Sequence, residues 1–231
     1  MTRRQSWLRA LRAAFPHTIP VLTGYLVLGI AYGILMETKG YGPLWSTLMS
    51  AIAFGGSMQY AAIALLTTVF DPIQAFLLSL MVNARHLFYG VSMLRKYAGI
   101  DALRPFLIYW LTDETFSVLC TVEVPDDVER GPFYFWVSFL DYCYWVLGTL
   151  AGGLFGTFLT FNTTGMDFAL TALFVVLFME QLKGRQQHIS GAIGLVCTVV
   201  ALAVFGTDKM VIAAMVLILA CLLAGRRKLC A

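Results

Sequence analysis

Charged residues are scarce in this chain of 231 residues: only 13% are Asp, Glu, Lys or Arg, against roughly a quarter in an average soluble domain. Hydrophobic residues make up 59% of the chain, and the mean hydropathy is +0.78. A soluble domain of this length has too little interior to bury so much apolar surface. Because the apolar runs recur along the whole chain, we expect residues 1–231 to form a single membrane domain with short tails.

Sequence features that mark several other classes of protein are also missing. The five cysteines include no CxxC pair, which argues against a zinc site or a disulfide framework. No nucleic-acid motif or long basic stripe is present, and the N-terminus lacks the cleavage site of a signal peptide. We therefore expect no metal, no cofactor, no enzyme activity and no nucleic-acid partner.

The apolar runs predict an all-α integral membrane protein, a polytopic helical bundle with broken or re-entrant helices. A spanning helix needs about 20 apolar residues. Two stretches do not fit a simple span, because 44–69 is interrupted at Phe54–Ser57 and 166–182 is short. The stretches that do fit are 17–36, 72–92, 103–122, 133–157, 189–206 and 209–225.

The distribution of charge predicts the topology. Basic residues at both termini, at 95–104 and at 183–188 favour the cytoplasmic side, so both termini are expected inside the cytoplasmic membrane. The acidic loop Glu123–Glu129 is then outside. An odd number of crossings must separate the Glu37–Lys39 loop from the basic cluster at 95–104, so 44–69 is predicted to enter the membrane and return. The same count predicts that 166–182 is a second non-crossing or broken element.

This count gives two halves of opposite orientation, 17–122 and 133–225, as in many secondary transporters. A short internal similarity favours an inverted repeat. Tyr25–Leu35 (YLVLGIAYGIL) aligns with Tyr144–Leu154 (YWVLGTLAGGL), with both glycines in register. The alternative is that two glycine-rich apolar helices resemble each other by chance.

Polar groups at membrane depth are the candidate site residues. Gly55, Gly56 and Ser57, followed by Gln59, offer backbone amides at the start of a half-helix, where an anion such as a substrate carboxylate binds well. The alternative is close helix packing through glycine. Non-helical backbone at this depth must be shielded by protein or line a wet cavity.

Asn83, Arg85 and His86 form a second polar group, near the inner end of the span 72–92. Arg85 and His86 could extend to the cytoplasmic interface, as long basic side chains often do. Asn83 lies deeper and is expected to meet a polar partner. A histidine beside a basic group could also carry protons.

The strongest signal is the adjacent pair Asp113 and Glu114, near the middle of the apolar span 103–122. A charged group at that depth costs a few kcal/mol, so it is functional by default. Adjacent helical positions point about 100° apart, so one carboxyl can face a cavity and the other a basic partner such as Arg85. The alternative is a buried ion pair without a transport role. Asp141, in the next span, is a further candidate.

These segments resemble the AzlC family, the large subunit of branched-chain amino-acid exporters. The similarity covers nearly the whole chain and departs from the family at Asp141, where a neutral polar residue is expected. The motifs that carry it are Phe54–Tyr60 (FGGSMQY), Asn83–Tyr89 (NARHLFY), Thr112–Phe116 (TDETF) and Met166–Phe174 (MDFALTALF).

The resemblance implies an exporter of branched-chain or similar apolar amino acids in the cytoplasmic (inner) membrane, working with a small AzlD-type membrane subunit. Amides at Gly55–Ser57, with Arg85, would hold the substrate carboxylate. Asp113 or Glu114, with Asn83, would receive the ammonium group and exchange protons. A passive channel and a scaffold without transport remain alternatives. An intramembrane aspartyl protease using Asp113 and Asp141 is disfavoured, since neither lies in a Gly-x-Gly-Asp context.

Overall fold

A computed structural model of the chain describes residues 3–69, 71–100, 102–158, 175, 179 and 187–229. These residues form helices and no strand, so the predicted all-α class is confirmed for the described part. The helices are α1 (Arg3–Thr38), α2 (Pro43–Ala53), α3 (Gly56–Leu66), α4 (Pro72–Asn83), α5 (Arg85–Met93), α6 (Arg104–Tyr109), α7 (Asp113–Thr121), α8 (Arg130–Phe158) and α9 (Gln187–Leu229).

Helices α1 and α8 pack closely along their glycines. A Cβ atom on Gly29 would lie 3.0 Å from Thr149 N, and one on Gly33 or Gly152 would overlap backbone atoms of the opposite helix. Only glycine permits such a close approach of two helices. Gly29 and Gly33 face Gly148 and Gly152, and these four glycines are the ones aligned between the two similar segments. Close packing by itself accounts for their spacing, so the inverted repeat stays a prediction.

Helices α2 and α3 form a hairpin whose bend is at Phe54 and Gly55. Phe54 has a left-handed backbone (φ 38°), which ends α2 and turns the chain. The hydroxyl of Tyr41, just before α2, donates to the carbonyl of Leu66 at the end of α3 (2.8 Å). Each helix has 11 residues, about 16 Å, against a hydrocarbon layer of about 30 Å. The two ends of the hairpin therefore lie together, and the entry of 44–69 into the membrane without crossing it stays a prediction.

The spans predicted at 72–92 and 103–122 are each divided into two helices in the structure. The first divides at Ala84, between α4 and α5. The second divides at Trp110–Thr112, between α6 and α7. Thr112 has an extended backbone, and its side chain accepts a hydrogen bond from Thr115 N (3.3 Å), which is the geometry of a helix N-cap. The carboxyls at 113 and 114 thus begin a helix instead of lying in the middle of one.

Two described helical segments are long and apolar enough to cross a bilayer, Arg3–Thr38 and His188–Gly206. Helix α1, with 36 residues, is about 54 Å long and exceeds the hydrocarbon layer. The predicted spans 189–206 and 209–225 both lie in α9, which has a non-helical residue at Gly206 (φ 69°). The stretch 166–182 lies outside the described ranges. The number of crossings therefore stays a prediction.

The chain divides into two compact units, residues 1–163 and 164–231. The first unit contains α1 to α8 and every candidate site residue. The predicted single transport domain, with halves 17–122 and 133–225, stays a prediction.

Candidate functional site

Three helices begin at one cluster of polar side chains, formed by Ser57, Arg85 and Asp113. Ser57 lies in the first turn of α3, Arg85 is the first residue of α5, and Asp113 is the first residue of α7. The Arg85 guanidinium donates from Nη2 to Ser57 Oγ (3.0 Å) and forms an ion pair from Nη1 with Asp113 Oδ2. Arg85 thus links the hairpin bend to the break between α6 and α7.

The helix starts give this cluster its electrostatic character. The first amides of a helix have no partner within it, and the helix dipole makes that end positive. Asp113 and Glu114 lie in the first turn of α7, where acidic side chains are stabilised. Arg85 adds a full positive charge, which Asp113 neutralises in this structure. The surroundings favour a bound anion at the same place.

The ion pair leaves hydrogen-bonding capacity unused. Arg85 Nε and Asp113 Oδ1 are buried atoms that have no hydrogen-bond partner in the described structure. Their side chains are nevertheless 33% and 32% exposed, so the remaining faces of both groups are open. Buried polar atoms in proteins are nearly always satisfied. The ion pair thus leaves one polar atom of each side chain unsatisfied, while other parts of both side chains are exposed.

The alternative interpretation of Gly55 and Gly56, close helix packing, is wrong. A Cβ on Gly55 would lie 3.6 Å from its nearest neighbours, and one on Gly56 would lie 3.5 Å from the Trp145 ring. Both distances are ordinary van der Waals contacts, so the protein's own packing tolerates alanine at either position. The first amides of α3 lie beside Ser57 and have no partner within the helix.

Gln59 is not part of this cluster. Its side chain is buried, with 1% of its surface exposed. The indole Nε1–H of Trp145 donates to Gln59 Oε1 (2.8 Å), and Gln59 Nε2 donates to Ser50 Oγ (2.8 Å). Ser50 in turn donates to Thr149 Oγ1 (2.8 Å). The predicted binding residue instead joins the hairpin to α8.

Asn83 and His86 also have local partners. Asn83 Nδ2 donates to the Ser79 carbonyl of its own helix (3.0 Å), and His86 Nδ1 lies 3.2 Å from the Asn83 carbonyl. His86 borders a mostly apolar cavity of about 350 Å³ that also contains Arg104. The described contacts do not bring Asn83 or His86 to the carboxyls. Arg85 differs from them, because its guanidinium is held by Ser57 and Asp113.

The second carboxyl, Glu114, points to a different partner. The Tyr25 hydroxyl lies 2.7 Å from both Glu114 Oε2 and Thr112 Oγ1. Sequence analysis missed Tyr25, although a tyrosine inside an apolar span is itself a signal. It also missed Thr115, whose hydroxyl donates to Asp141 Oδ2 (2.8 Å). Asp113 and Glu114 thus serve separate contacts, as their positions on the helix predict.

Comparison with known proteins identifies the family. The family model described as AzlC protein matches residues 20–159. "Branched-chain amino acid transport protein AzlC" of Bacillus subtilis is 46% identical over 98% of this chain and 89% of its own length. An "Uncharacterized membrane protein" of Helicobacter pylori is 39% identical over 96% of this chain and 98% of its own length. "Inner membrane protein YgaZ" of Escherichia coli is 25% identical over 86% of this chain and 84% of its own length.

No solved structure matches this chain. The family assignment therefore stands on sequence. The match includes α2 to α8, and with them the hairpin bend and both of the divided helices whose ends form the Ser57–Arg85–Asp113 cluster. Since the family model covers more than half of the chain and the Bacillus subtilis relative nearly all of it, this helical membrane protein belongs to the AzlC family.

Proposed function

We propose that this protein is a secondary transporter that exports branched-chain or related apolar amino acids across the cytoplasmic membrane, coupled to proton entry. It works as the large subunit beside a small AzlD-type membrane partner. Family membership and the printed name of the Bacillus subtilis relative support the substrate class. The observation that carries the proposal is the position of Arg85, held between Ser57 and Asp113 where three helices begin.

In this mechanism Arg85 and Asp113 pair with each other when no substrate is bound, and they pair with the charged groups of the amino acid when it binds. An amino acid brings one carboxylate and one ammonium group. Its carboxylate replaces Asp113 at Arg85 and takes hydrogen bonds from Ser57 and the first amides of α3. The ammonium group pairs with the released Asp113 or with Glu114. Arg85 and the carboxyl that receives the ammonium group then each face an opposite charge of the substrate, as ions in a low-dielectric site require.

Competition between the ammonium group and a proton couples the two fluxes. A protonated Asp113 or Glu114 cannot attract an ammonium group, and an ionised one can. Proton arrival from outside therefore favours release of the amino acid, and proton loss to the cytoplasm prepares the site for the next one. The apolar side chain of the substrate packs against aromatic walls such as Tyr89 and Phe116, whose stacked rings lie 4.4 Å apart at their centres.

Counterflow of labelled leucine, valine and methionine tests this proposal in proteoliposomes that contain the chain and its small partner. Asp113→Asn and Glu114→Gln are compared with the wild type, each with and without an imposed pH gradient. Asp127→Asn is the matched control, because Asp127 is an exposed carboxyl that pairs with Arg9 and not with a residue of the cluster. We expect counterflow by the wild type and the control, and loss of the gradient response in one site variant.

Other outcomes distinguish the alternative functions. Flux that never saturates and does not respond to the gradient would indicate a passive channel. Absence of transport for every amino acid, with a folded chain and partner, would contradict the exporter proposal and favour a scaffold. Omitting the partner from parallel vesicles tests the proposed two-subunit requirement, since transport by the chain alone would exclude it.

A further inference from the structure

A continuous chain of hydrogen-bonded side chains connects two carboxyls inside the protein. It begins at Glu114, whose Oε2 lies 2.7 Å from the Tyr25 hydroxyl. Tyr25 reaches Thr112 Oγ1 at 2.7 Å, and Thr112 reaches Thr115 Oγ1 at 3.1 Å. Thr115 reaches Asp141 Oδ2 at 2.8 Å. Three hydroxyls thus fill the whole distance between the carboxyls, and each hydroxyl can both donate and accept a hydrogen bond.

The two carboxyls at the ends of this hydrogen-bonded path differ in solvent exposure. Glu114 is exposed, whereas no part of Asp141 is. Asp141 Oδ1 has no hydrogen-bond partner, and no salt bridge among the described residues reaches this carboxyl. An ionised carboxylate in that position would be a buried charge without a counter-ion, which is costly. A proton on Asp141 removes the net charge, so the position suits a carboxyl that holds a proton for part of a cycle.

The neighbours of Asp141 supply no permanent charge that would compete with this role. Tyr25 faces it from α1, Glu114 from α7, and Tyr144 lies beside it on α8. Helix α2, which also packs on α8, contains no titratable side chain. Arg85, the nearby cation of the substrate cluster, is bound to Ser57 and Asp113. Glu114 is therefore the ionisable partner that shares a hydrogen-bonded path with Asp141.

We propose that Asp141 is an internal proton acceptor that exchanges its proton with Glu114 through the hydroxyls of Tyr25, Thr112 and Thr115. This inference rests on the proton coupling proposed above and adds a residue to it. Asp113 keeps the role proposed above, in which it pairs with Arg85 or with the ammonium group of the substrate. Glu114 is the accessible end of the path, and Asp141 stores the proton where neither substrate nor solvent reaches it.

The transfer conserves every atom and charge. A proton leaves the Glu114 carboxyl for the Tyr25 oxygen as the Tyr25 proton passes to Thr112. The Thr112 proton passes to Thr115, and the Thr115 proton binds Asp141 Oδ2. Each hydroxyl ends with one proton, Glu114 becomes a carboxylate, and Asp141 becomes a neutral acid. The reverse shift returns the proton, so no oxidant, reductant or second reactant is needed.

A purely structural role is the alternative, in which Thr115 and Asp141 only hold α7 against α8. The chain offers a matched control for that role. Thr149 is, like Thr115, a fully buried threonine whose hydroxyl bonds to a polar side chain of another helix, but its partner is Ser50. Replacing either threonine by valine keeps the shape and removes one hydroxyl. Only the change at Thr115 interrupts the path between the carboxyls.

The experiment compares Thr115→Val, Thr149→Val and Asp141→Asn with the wild type, each purified with its small partner. Infrared difference spectra between acidic and alkaline buffer detect the carbonyl band of a protonated carboxylic acid without any need for transport. Asp141→Asn should remove one such band, and Thr115→Val should shift it, because the hydroxyl bonded to Asp141 is lost. Thr149→Val should leave the band unchanged.

Transport in vesicles then tests the path itself. We expect Thr115→Val to lower the ratio of gradient-driven transport to counterflow by at least about tenfold, since a positioned proton-transfer group typically contributes a hundredfold or more. Thr149→Val should keep the wild-type ratio. Wild-type counterflow establishes the proposed function independently, so its absence would overturn that function and not this path alone.

Two results would overturn the inference. One is an infrared spectrum in which Asp141→Asn loses no protonated-carboxyl band, which would show that Asp141 never holds a proton. The other is a wild-type ratio in Thr115→Val while counterflow is normal, which would show that protons do not use the hydroxyls. If Thr115→Val fails to fold, Thr115→Ser restores the hydroxyl at the same position and should recover both the band and the ratio.

Discussion

The ion pair between Arg85 and Asp113 permits a quantitative test by a double-mutant cycle. Arg85→Gln and Asp113→Asn each remove one charge and leave the other without its partner. Breaking a fully buried pair in this way costs about 3–5 kcal/mol, whereas exposed pairs contribute about 0–1 kcal/mol. The two side chains are 33% and 32% exposed. We therefore expect each single variant to lose about 1–3 kcal/mol of unfolding free energy, between the two limits.

The double variant shows whether the loss of stability in the single variants comes from the broken ion pair. Arg85→Gln with Asp113→Asn leaves two neutral amides and no unpaired charge, so it should lose less than the sum of the single variants. We expect a coupling energy of at least about 1 kcal/mol, typical of residues in direct contact. Unfolding of the purified protein in mixed micelles, followed by tryptophan fluorescence, measures each value. The pair Arg9 and Asp127 is the control.

The control pair is also an ion pair between an arginine and an aspartate, but its environment is different. Arg9 Nη1 lies 3.2 Å from Asp127 Oδ2, with side chains 47% and 66% exposed. The same cycle there should give a coupling of about 0–1 kcal/mol, which falls further as salt is added. Simple additivity at Arg85 and Asp113, or a coupling no larger than that of the control, would refute the reasoning.

Two further predictions concern packing. Gly152→Ala should lose about 1–3 kcal/mol of unfolding free energy, because its Cβ would overlap the backbone of α1. Gly56→Ala should change the unfolding free energy by less than about 0.5 kcal/mol, and it should nevertheless weaken amino-acid binding. Micelle unfolding and labelled-substrate binding separate the two, and equal stability losses would contradict the packing assignment. Gln59→Leu leaves the Trp145 N–H unsatisfied and should cost about 1–3 kcal/mol with transport per folded molecule unchanged. A selective loss of transport would instead return Gln59 to the substrate site.

Local sequence patterns were enough to single out Ser57, Arg85 and Asp113, the three residues of the cluster. Scarce charge and repeated apolar runs predicted a helical membrane protein, and the interruption at Phe54–Ser57 predicted the hairpin. Both depend on the residues' own solvation and backbone preferences, which act over a few positions. The same local reasoning missed the break at Trp110–Thr112, because no glycine or proline lies at the break itself and a single N-cap threonine gives a weak signal.

Contacts between distant residues needed the tertiary structure. Arg85 and Ser57 are 28 residues apart, and Tyr25 and Glu114 are 89 apart. Among several polar groups at similar depth, only the packing of the helices decides which ones meet. It joined Arg85 to Asp113, as the sequence allowed, and left Gln59 with Trp145, which the sequence did not indicate.

The sequence by itself determined the membrane class, the positions of the polar residues and the family motifs, since each is written in composition or in a short segment. Tertiary structure decided which polar residues share a site and that Asp141 is linked to Glu114 through hydroxyls. The physical reason is range: hydropathy and helix capping act on neighbours in the chain, whereas ion pairs and hydrogen-bonded chains depend on how glycine-lined helices such as α1 and α8 approach each other.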